Sequence, residues 1–301
     1  MRKQNIFAIL AAVIWGSAFV AQKIGADDVP PLTFNAARSL LAVIVLSVIA
    51  FIMMQSKKSK GTYKPVNKKK VVLGGFCCGL FLTLATFFQQ SSLSEESAGK
   101  AGFVTALYIV IVPILGIFLK KHIPITVWLG VLLAMVGLYF LCVTNGFVLV
   151  KSDIFLILCA VMFAVQIMFI DYFVAFVDGV LLSLAQFVTM TVLSAGAALF
   201  TETVTFAAIK AAFLPILYLG VFSSGIAYTL QILAQKDSNP TVISLLMSLE
   251  SVFSVIASAA LLKTWLSARE TFGCILMLLA VILAQIPSSF FKSAFKKISN
   301  K

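Results

Sequence analysis

The feature that most constrains this chain is a succession of apolar runs of bilayer length, joined by connections of only a few residues. Ten are visible, at about 6–24, 30–54, 70–91, 98–119, 124–143, 152–174, 179–200, 211–234, 239–263 and 268–287. A helix crosses the hydrocarbon core with about 20 mostly apolar residues, because each residue advances about 1.5 Å. Only 11% of the residues are charged, against roughly 25% in a soluble domain, and the mean hydropathy is +1.08. That is too little polar surface to cover a water-soluble particle. The expected fold is an all-α polytopic membrane protein of ten transmembrane helices, antiparallel to their neighbours in sequence. Residues 1–24 have the basic start and apolar run of a secretory signal peptide. The run is nonetheless long enough to span, and it has a counterpart in the second half, so it is read as an uncleaved first helix.

The net charge of +12 invites a nucleic-acid partner, but the lysines cluster in short loops, as the positive-inside rule requires. No nucleic-acid partner is expected. The hydrophilic linker Gln55–Lys70 alone carries seven lysines. With the amino terminus inside, the inner connections and termini hold 16 Lys and Arg, the outer connections 6, and Arg38 lies within a span, which accounts for all 23. Both termini are therefore expected in the cytoplasm of a bacterial cell membrane. Asp171, near the inner end of the sixth run, is expected to be solvated or paired with a lysine. Cys77, Cys78, Cys142, Cys159 and Cys274 all lie inside apolar runs without metal-ligand spacing, and read as small packed hydrophobes. His122, the single histidine, has no acidic or cysteine neighbour in sequence. No metal, cofactor or histidine-based catalysis is expected.

The two halves repeat. A shift of 142 lays 85–89 over 227–231 and sets Leu107-Tyr108 on Leu249-Glu250; a shift of 148 sets 12–15 on 160–163 and Arg38 on Gln186. A near-constant offset over five helices outweighs the weakness of each identity. Five is odd, so the halves enter the membrane in opposite orientations, an arrangement that places sites near the midplane. The units are expected at 1–150 and 151–301.

Glu250 stands halfway along the ninth run, where a carboxylate costs about 2.5–3.5 kcal/mol to insert and so faces a partner or a wet cavity. Ser244, Ser248, Ser251 and Ser258 share one face of that helix, with Glu250 on its shoulder below Ser254; either close helix packing or a polar path would use them. Arg38 lies about eight residues into the second helix with Asn35 on the same face, and either turns inward or snorkels to the interface. Facing inward, it would hold a carboxylate or neutralise Glu250. Gln89, Gln90 and Thr86 answer to Gln231 and Tyr228, and either pin helices together or line a path. Tyr108, in Glu250's place in the first repeat, would wall a pocket. The repeat mates Trp15 and Phe163 either fill core or gate a cavity, and Gln166 is one turn beyond Phe163.

These residues carry a resemblance. Trp15-Gly16-Ser17-x-Phe19, the stretch Ser97–Phe103 with Leu107-Tyr108 and Pro113, the stretch Tyr218–Ser223 and the stretch Ser248–Phe253 together resemble the drug/metabolite transporter superfamily in its EamA-type branch. Two departures are Lys263-Thr264, where many relatives have Gly-Glu, and Ser251, where many have proline. The resemblance implies two five-helix EamA-type units around a central cavity that opens alternately to either side. The expected function is secondary-active or facilitative transport of a small polar, amino-acid-like metabolite, with export the expected direction, and no enzymatic activity. Glu250 would be the protonatable or charge-pairing group and Arg38 would lie near the substrate, with Trp15, Gln89, Tyr108, Phe163, Gln166 and Gln231 along the pathway. No phosphate-binding Gly-x-x-x-x-Gly-Lys-Ser/Thr occurs, so a gradient supplies any driving force. The alternatives are a lipid-linked-sugar flippase, a structural membrane subunit, or an enzyme on lipid-linked substrates.

Overall fold

The computed structural model describes residues 3–62, 65–93, 98–121, 123–142, 151–203, 205–262 and 267–286. His122, Lys263, Thr264 and the tail after Ile286 lie outside them. The described residues are helices and short connections, and nine helical spans among them are long and apolar enough to cross a membrane. A shorter apolar helix, Ile125–Leu141, accompanies these.

In chain order the elements are α1 (Lys3–Asp28), α2 (Pro31–Ser59), α3 (Lys68–Leu93), α4 (Ala98–Thr105), α5 (Tyr108–Phe118), α6 (Ile125–Cys142), α7 (Lys151–Phe173), α8 (Gly179–Thr201), α9 (Phe206–Ala211) and α10 (Phe213–Tyr218). A π-helical segment (Leu219–Ala227) follows, then α11 (Tyr228–Gln235), α12 (Pro240–Met247), α13 (Glu250–Leu262) and α14 (Ala268–Gln285). Their starts are written in the sequence. Pro31 opens α2 at its first turn, Asn239 caps α12 by accepting from Thr241 N at 2.9 Å, and Ser267 with Glu270 forms a capping box on α14.

Three expected continuous helices are interrupted. The ninth run divides into α12 and α13, and the fourth into α4 and α5, at the same repeat position. At Leu107 and Leu249 the backbone N–H bonds the residue three back instead of four, to Val104 O at 3.2 Å and Leu246 O at 3.3 Å. In the second repeat the hydroxyls of Ser244 and Ser248 bond carbonyls three residues back, competing with the helical ladder. In the first, Pro113 removes an N–H from α5. The eighth run carries the nine-residue π segment, whereas its mate α3 is regular. The linker is also shorter than its lysines suggest, since α2 runs on to Ser59 and α3 begins at Lys68.

The two halves run in opposite directions. Lys23 Nζ near the end of α1 donates to Leu93 O at the end of α3 (2.6 Å), and Ser92 Oγ donates to Ser152 O at the start of α7 (3.3 Å). α1 therefore ends at the face where its repeat mate α7 begins. At the other face, Asn5 Nδ2 on α1 donates to Gln285 Oε1 on α14 at 2.8 Å. Pairings also survive exchange of the halves: α1 packs on α11 and α13 as α7 packs on α3 and α5, while α2 with α8 and α6 with α14 pair across the pseudo-twofold. The closest approaches are made through small residues, as expected where helices pack without a hydrophobic drive. A Cβ on Gly16 of α1 would lie 2.5 Å from Phe253 Cβ and 2.8 Å from Ser254 N of α13.

Candidate substrate cavity

At mid-depth, between the two halves, lies a cavity walled by Trp15, Phe19 and Gln22 of α1, Arg38 of α2, Gln89 of α3, and Thr105 and Tyr108 at the first interruption. Phe163 and Ile167 of α7, Ser223 of the π segment, Tyr228 and Gln231 of α11, and Met247 and Glu250 at the second interruption complete it. Its water-sized space is about 40 Å³, room for about three waters at roughly 10–15 Å³ each.

Each repeat mate of the helix interruptions delivers one polar group here. Tyr108 opens α5 and Glu250 opens α13, and Tyr108 Oη donates to Glu250 Oε1 at 3.3 Å. Both side chains are buried, Glu250 at 6% exposure. The bond joins one half of the protein to the other across the pseudo-twofold.

Arg38 resolves its two sequence readings in favour of the inward one: it is 2% exposed, so it does not snorkel. Its Nε donates to Asn35 Oδ1, one turn back, at 2.9 Å. The π segment presses on α2 here, and a Cβ on Gly220 would lie 3.0 Å from Arg38 O. Neither Arg38 nor Glu250 belongs to an ion pair among the described residues, where the pairs are Lys23–Asp27, Lys57–Asp178 and Lys121–Asp171. The cavity thus holds one basic and one acidic side chain that are not paired with each other. Asp171 takes the lysine-paired alternative of its sequence reading.

Of the eight pathway candidates, seven (Trp15, Arg38, Gln89, Tyr108, Phe163, Gln231 and Glu250) line this cavity. Gln166 does not: it stands behind the wall, accepting from Gln231 Nε2 at 3.3 Å and donating to Gln186 Oε1 at 3.2 Å. Trp15 does not pair with Phe163 as its repeat position suggests. Its ring meets Tyr228 edge-on, centroids 4.8 Å apart, and Tyr228 in turn meets Phe187 at 5.5 Å. Gln90 pins α3 to α1 through Gln22 O at 3.1 Å. Ser244 and Ser248 are buried with their hydroxyls turned to their own helix, which makes them packing residues; the side chain of Ser258 lies outside the described set.

Sequence reasoning missed Phe19, Gln22 and Ile167 as wall residues, though helical spacing held the signal. Phe19 and Gln22 are four and seven residues after Trp15, and Ile167 is four after Phe163, each on the face of its anchor. Ser223 had no such signal, because the π segment breaks the register that would place it.

This fold defines a polytopic integral membrane protein of two inverted repeats around a central polar cavity. The pattern of the EamA-like transporter family matches residues 2–143 and again 150–285, and the chain belongs to that family. It is 31% identical over 283 residues to an uncharacterized transporter of Archaeoglobus fulgidus, covering 92% of this chain and 84% of that one. It is 24% identical over 168 residues to the uncharacterized transporter YoaV of Bacillus subtilis, 55% of each chain. A solved crystal structure overlays with a TM-score of 0.75 at 19% identity, over 94% of this chain and 96% of the other, a likeness of fold.

Proposed function

We propose that this transporter carries a small polar, amino-acid-like metabolite by alternating access, binding it in the central cavity. One observation carries the reading: Arg38 and Glu250, one from each half and buried at mid-depth, face the same cavity without being paired. A planar guanidinium binds a carboxylate through two parallel bonds, and the carboxylate of Glu250 suits an ammonium. Trp15, Phe163 and Tyr228 supply apolar walls for the remainder. At about 40 Å³ the cavity must widen to admit such a molecule, and the paired helix interruptions beside it are where the halves can part. Glu250 is proposed as the protonatable or charge-pairing group, its bond to Tyr108 breaking and reforming as the halves move.

Both termini are proposed on the cytoplasmic face of a bacterial cell membrane, which places the lysine-rich ends of α2 and α3 there. Export is the proposed direction. The flippase reading would want the cavity open sideways to lipid. The apolar lateral groove between α2 and α8 shares no lining residue with the cavity, which favours the solute carrier.

The test is uptake into proteoliposomes of a compound selected by thermal-shift screening of amino acids, sugars and nucleobases, since binding stabilises the folded state by mass action. Glu250→Gln is expected to abolish accumulation against a gradient. Undiminished accumulation by that variant removes Glu250 from the mechanism.

A further inference from the structure

A second and larger space, of about 490 Å³ against about 40 Å³ for the central cavity, lies at the lysine-rich end of the bundle. It sits between the last turns of α2, residues 65–67 that lead into α3, and the α7–α8 connection, with Lys236 after α11 also lining it. We propose that this crevice binds one anionic phospholipid, its phosphate at the lysine rim and an acyl chain along the apolar floor.

The floor is Met53, Met54, Val177 and Leu181. Beside it, Phe51 and Ile52 of α2 are 64% and 61% exposed, the lipid-facing surface of a spanning helix. The crevice therefore lies next to lipid-facing surface, at the lysine-rich end of the spanning helices. The rim carries Lys57 and Lys236, with Lys70 packed over the ring of Phe176 at 3.5 Å from its centroid. Lys68 and Lys69 are exposed in the same first turn of α3, which contains no acidic residue. Three cations at a helix start oppose the helix dipole, and an anion beside them relieves that repulsion.

Of the rim charges, Lys57 is neutralised by Asp178, which leaves Lys236 and the first-turn lysines of α3 to meet an anion. Asp178 spends one oxygen on Lys57 Nζ at 2.7 Å and the other on Val180 N at 3.0 Å, which it caps. Asp237 adjoins Lys236 in sequence. A freely soluble anion would need the rim alone, whereas the apolar floor gives a two-part ligand its second contact. Loop lysines are expected from topology alone, but the positive-inside rule does not call for an apolar cleft beneath them. Juxtamembrane lysines attract anionic lipid with about 1 kcal/mol each, about fivefold in affinity.

The experiment compares thermal unfolding of the purified full chain in detergent titrated with phosphatidylglycerol, phosphatidylcholine or inorganic phosphate. Phosphatidylglycerol is expected to raise the midpoint, and the other two are not. The variant Lys68→Gln/Lys69→Gln/Lys236→Gln is expected to need on the order of 100-fold more phosphatidylglycerol for the same shift. A control that removes three lysines elsewhere, Lys3→Gln/Lys120→Gln/Lys210→Gln, is expected to titrate like the unaltered chain. Met54→Trp, which fills the floor and keeps the charge, is expected to lose the response. Equal protection by phosphatidylcholine or by phosphate overturns the proposal. So does an equal loss in the control, which would mean a diffuse surface field, and so does an intact response in Met54→Trp.

Discussion

Replacing Gly16 by alanine tests the seam on which the cavity depends. The added Cβ would stand 2.5 Å from Phe253 Cβ, 2.8 Å from Phe253 C and 2.8 Å from Ser254 N. Carbon atoms in contact rest about 3.5–4.0 Å apart, so α1 and α13 must separate by roughly 1 Å. Two of the three obstructing atoms are backbone, and no side-chain rotation clears them. Overpacking of this kind costs about 1–3 kcal/mol. The displacement also reaches the cavity, because α1 carries Trp15 next to Gly16, and α13 begins at Glu250 three residues before Phe253. The assay is the unfolding midpoint of the purified protein together with uptake into proteoliposomes. Gly196→Ala is the matched control: nothing lies within 4 Å of its Cβ, and the interior of α8 should gain about 0.5–1 kcal/mol from the better helix former. Gly16→Ala is expected to lower the midpoint and impair uptake while Gly196→Ala does neither. A Gly16→Ala protein as stable as its parent would mean that the two helices do not meet at the distance described.

Three further outcomes follow from the geometry. Tyr108→Phe and Glu250→Gln should be non-additive in downhill uptake, which needs no accumulation, with a coupling of about 0.5 kcal/mol or more, because the two groups share one hydrogen bond; strict additivity would deny that bond a part in transport. Arg38→Lys keeps the charge but loses the planar fork and the Nε bond to Asn35, so uptake should fall about tenfold or more; an equal rate would show that charge alone suffices. Glu202→Ala removes three acceptor contacts of 2.8 Å, to Leu32 N, Thr33 N and Thr33 Oγ1 at the start of α2, and should cost about 1–2 kcal/mol in thermal unfolding. An unchanged midpoint would show that the carboxylate is replaced there by water.

What the sequence made legible is what depends on composition and offset. Apolar runs of bilayer length located the helices to within a few residues, because the bilayer fixes their length before any tertiary contact exists. The odd number of helices per repeat gave the inversion, which the bonds of Lys23 and Ser152 then display at one face. Interruptions were not legible. Nothing in the run 211–234 distinguishes a π segment from an α-helix, since the register change serves the contact of Gly220 with α2, a partner nearly 180 residues away. The split at Leu249 was hidden for a related reason: serines sit comfortably in a packed helix or at a break, and only the direction of their hydroxyls separates the two. Arg38 stood between two readings because a long side chain eight residues into a helix has both options until its neighbours are known.

The repeat also explains where the chemistry can reside. Backbone symmetry is kept at the paired interruptions and in the reciprocal packing of the halves. A cavity on a pseudo-twofold would present equivalent groups from both sides if side chains obeyed the same symmetry. They do not: Tyr108 stands where Glu250 stands in the other half, and Gln186 stands where Arg38 does. Each departure gives one half a charge and the other a neutral hydrogen-bonding partner, so the cavity acquires a carboxylate and a guanidinium from opposite halves. On the proposed reading, a substrate bearing both signs would bridge the two repeats. Moving the acid to its mate tests this directly: Tyr108→Glu/Glu250→Tyr keeps a carboxylate in the cavity but places both charges in one half, so uptake should stay as impaired as in Glu250→Tyr alone. If the exchanged pair recovers uptake, the presence of the acid in the cavity, rather than the half that carries it, governs transport.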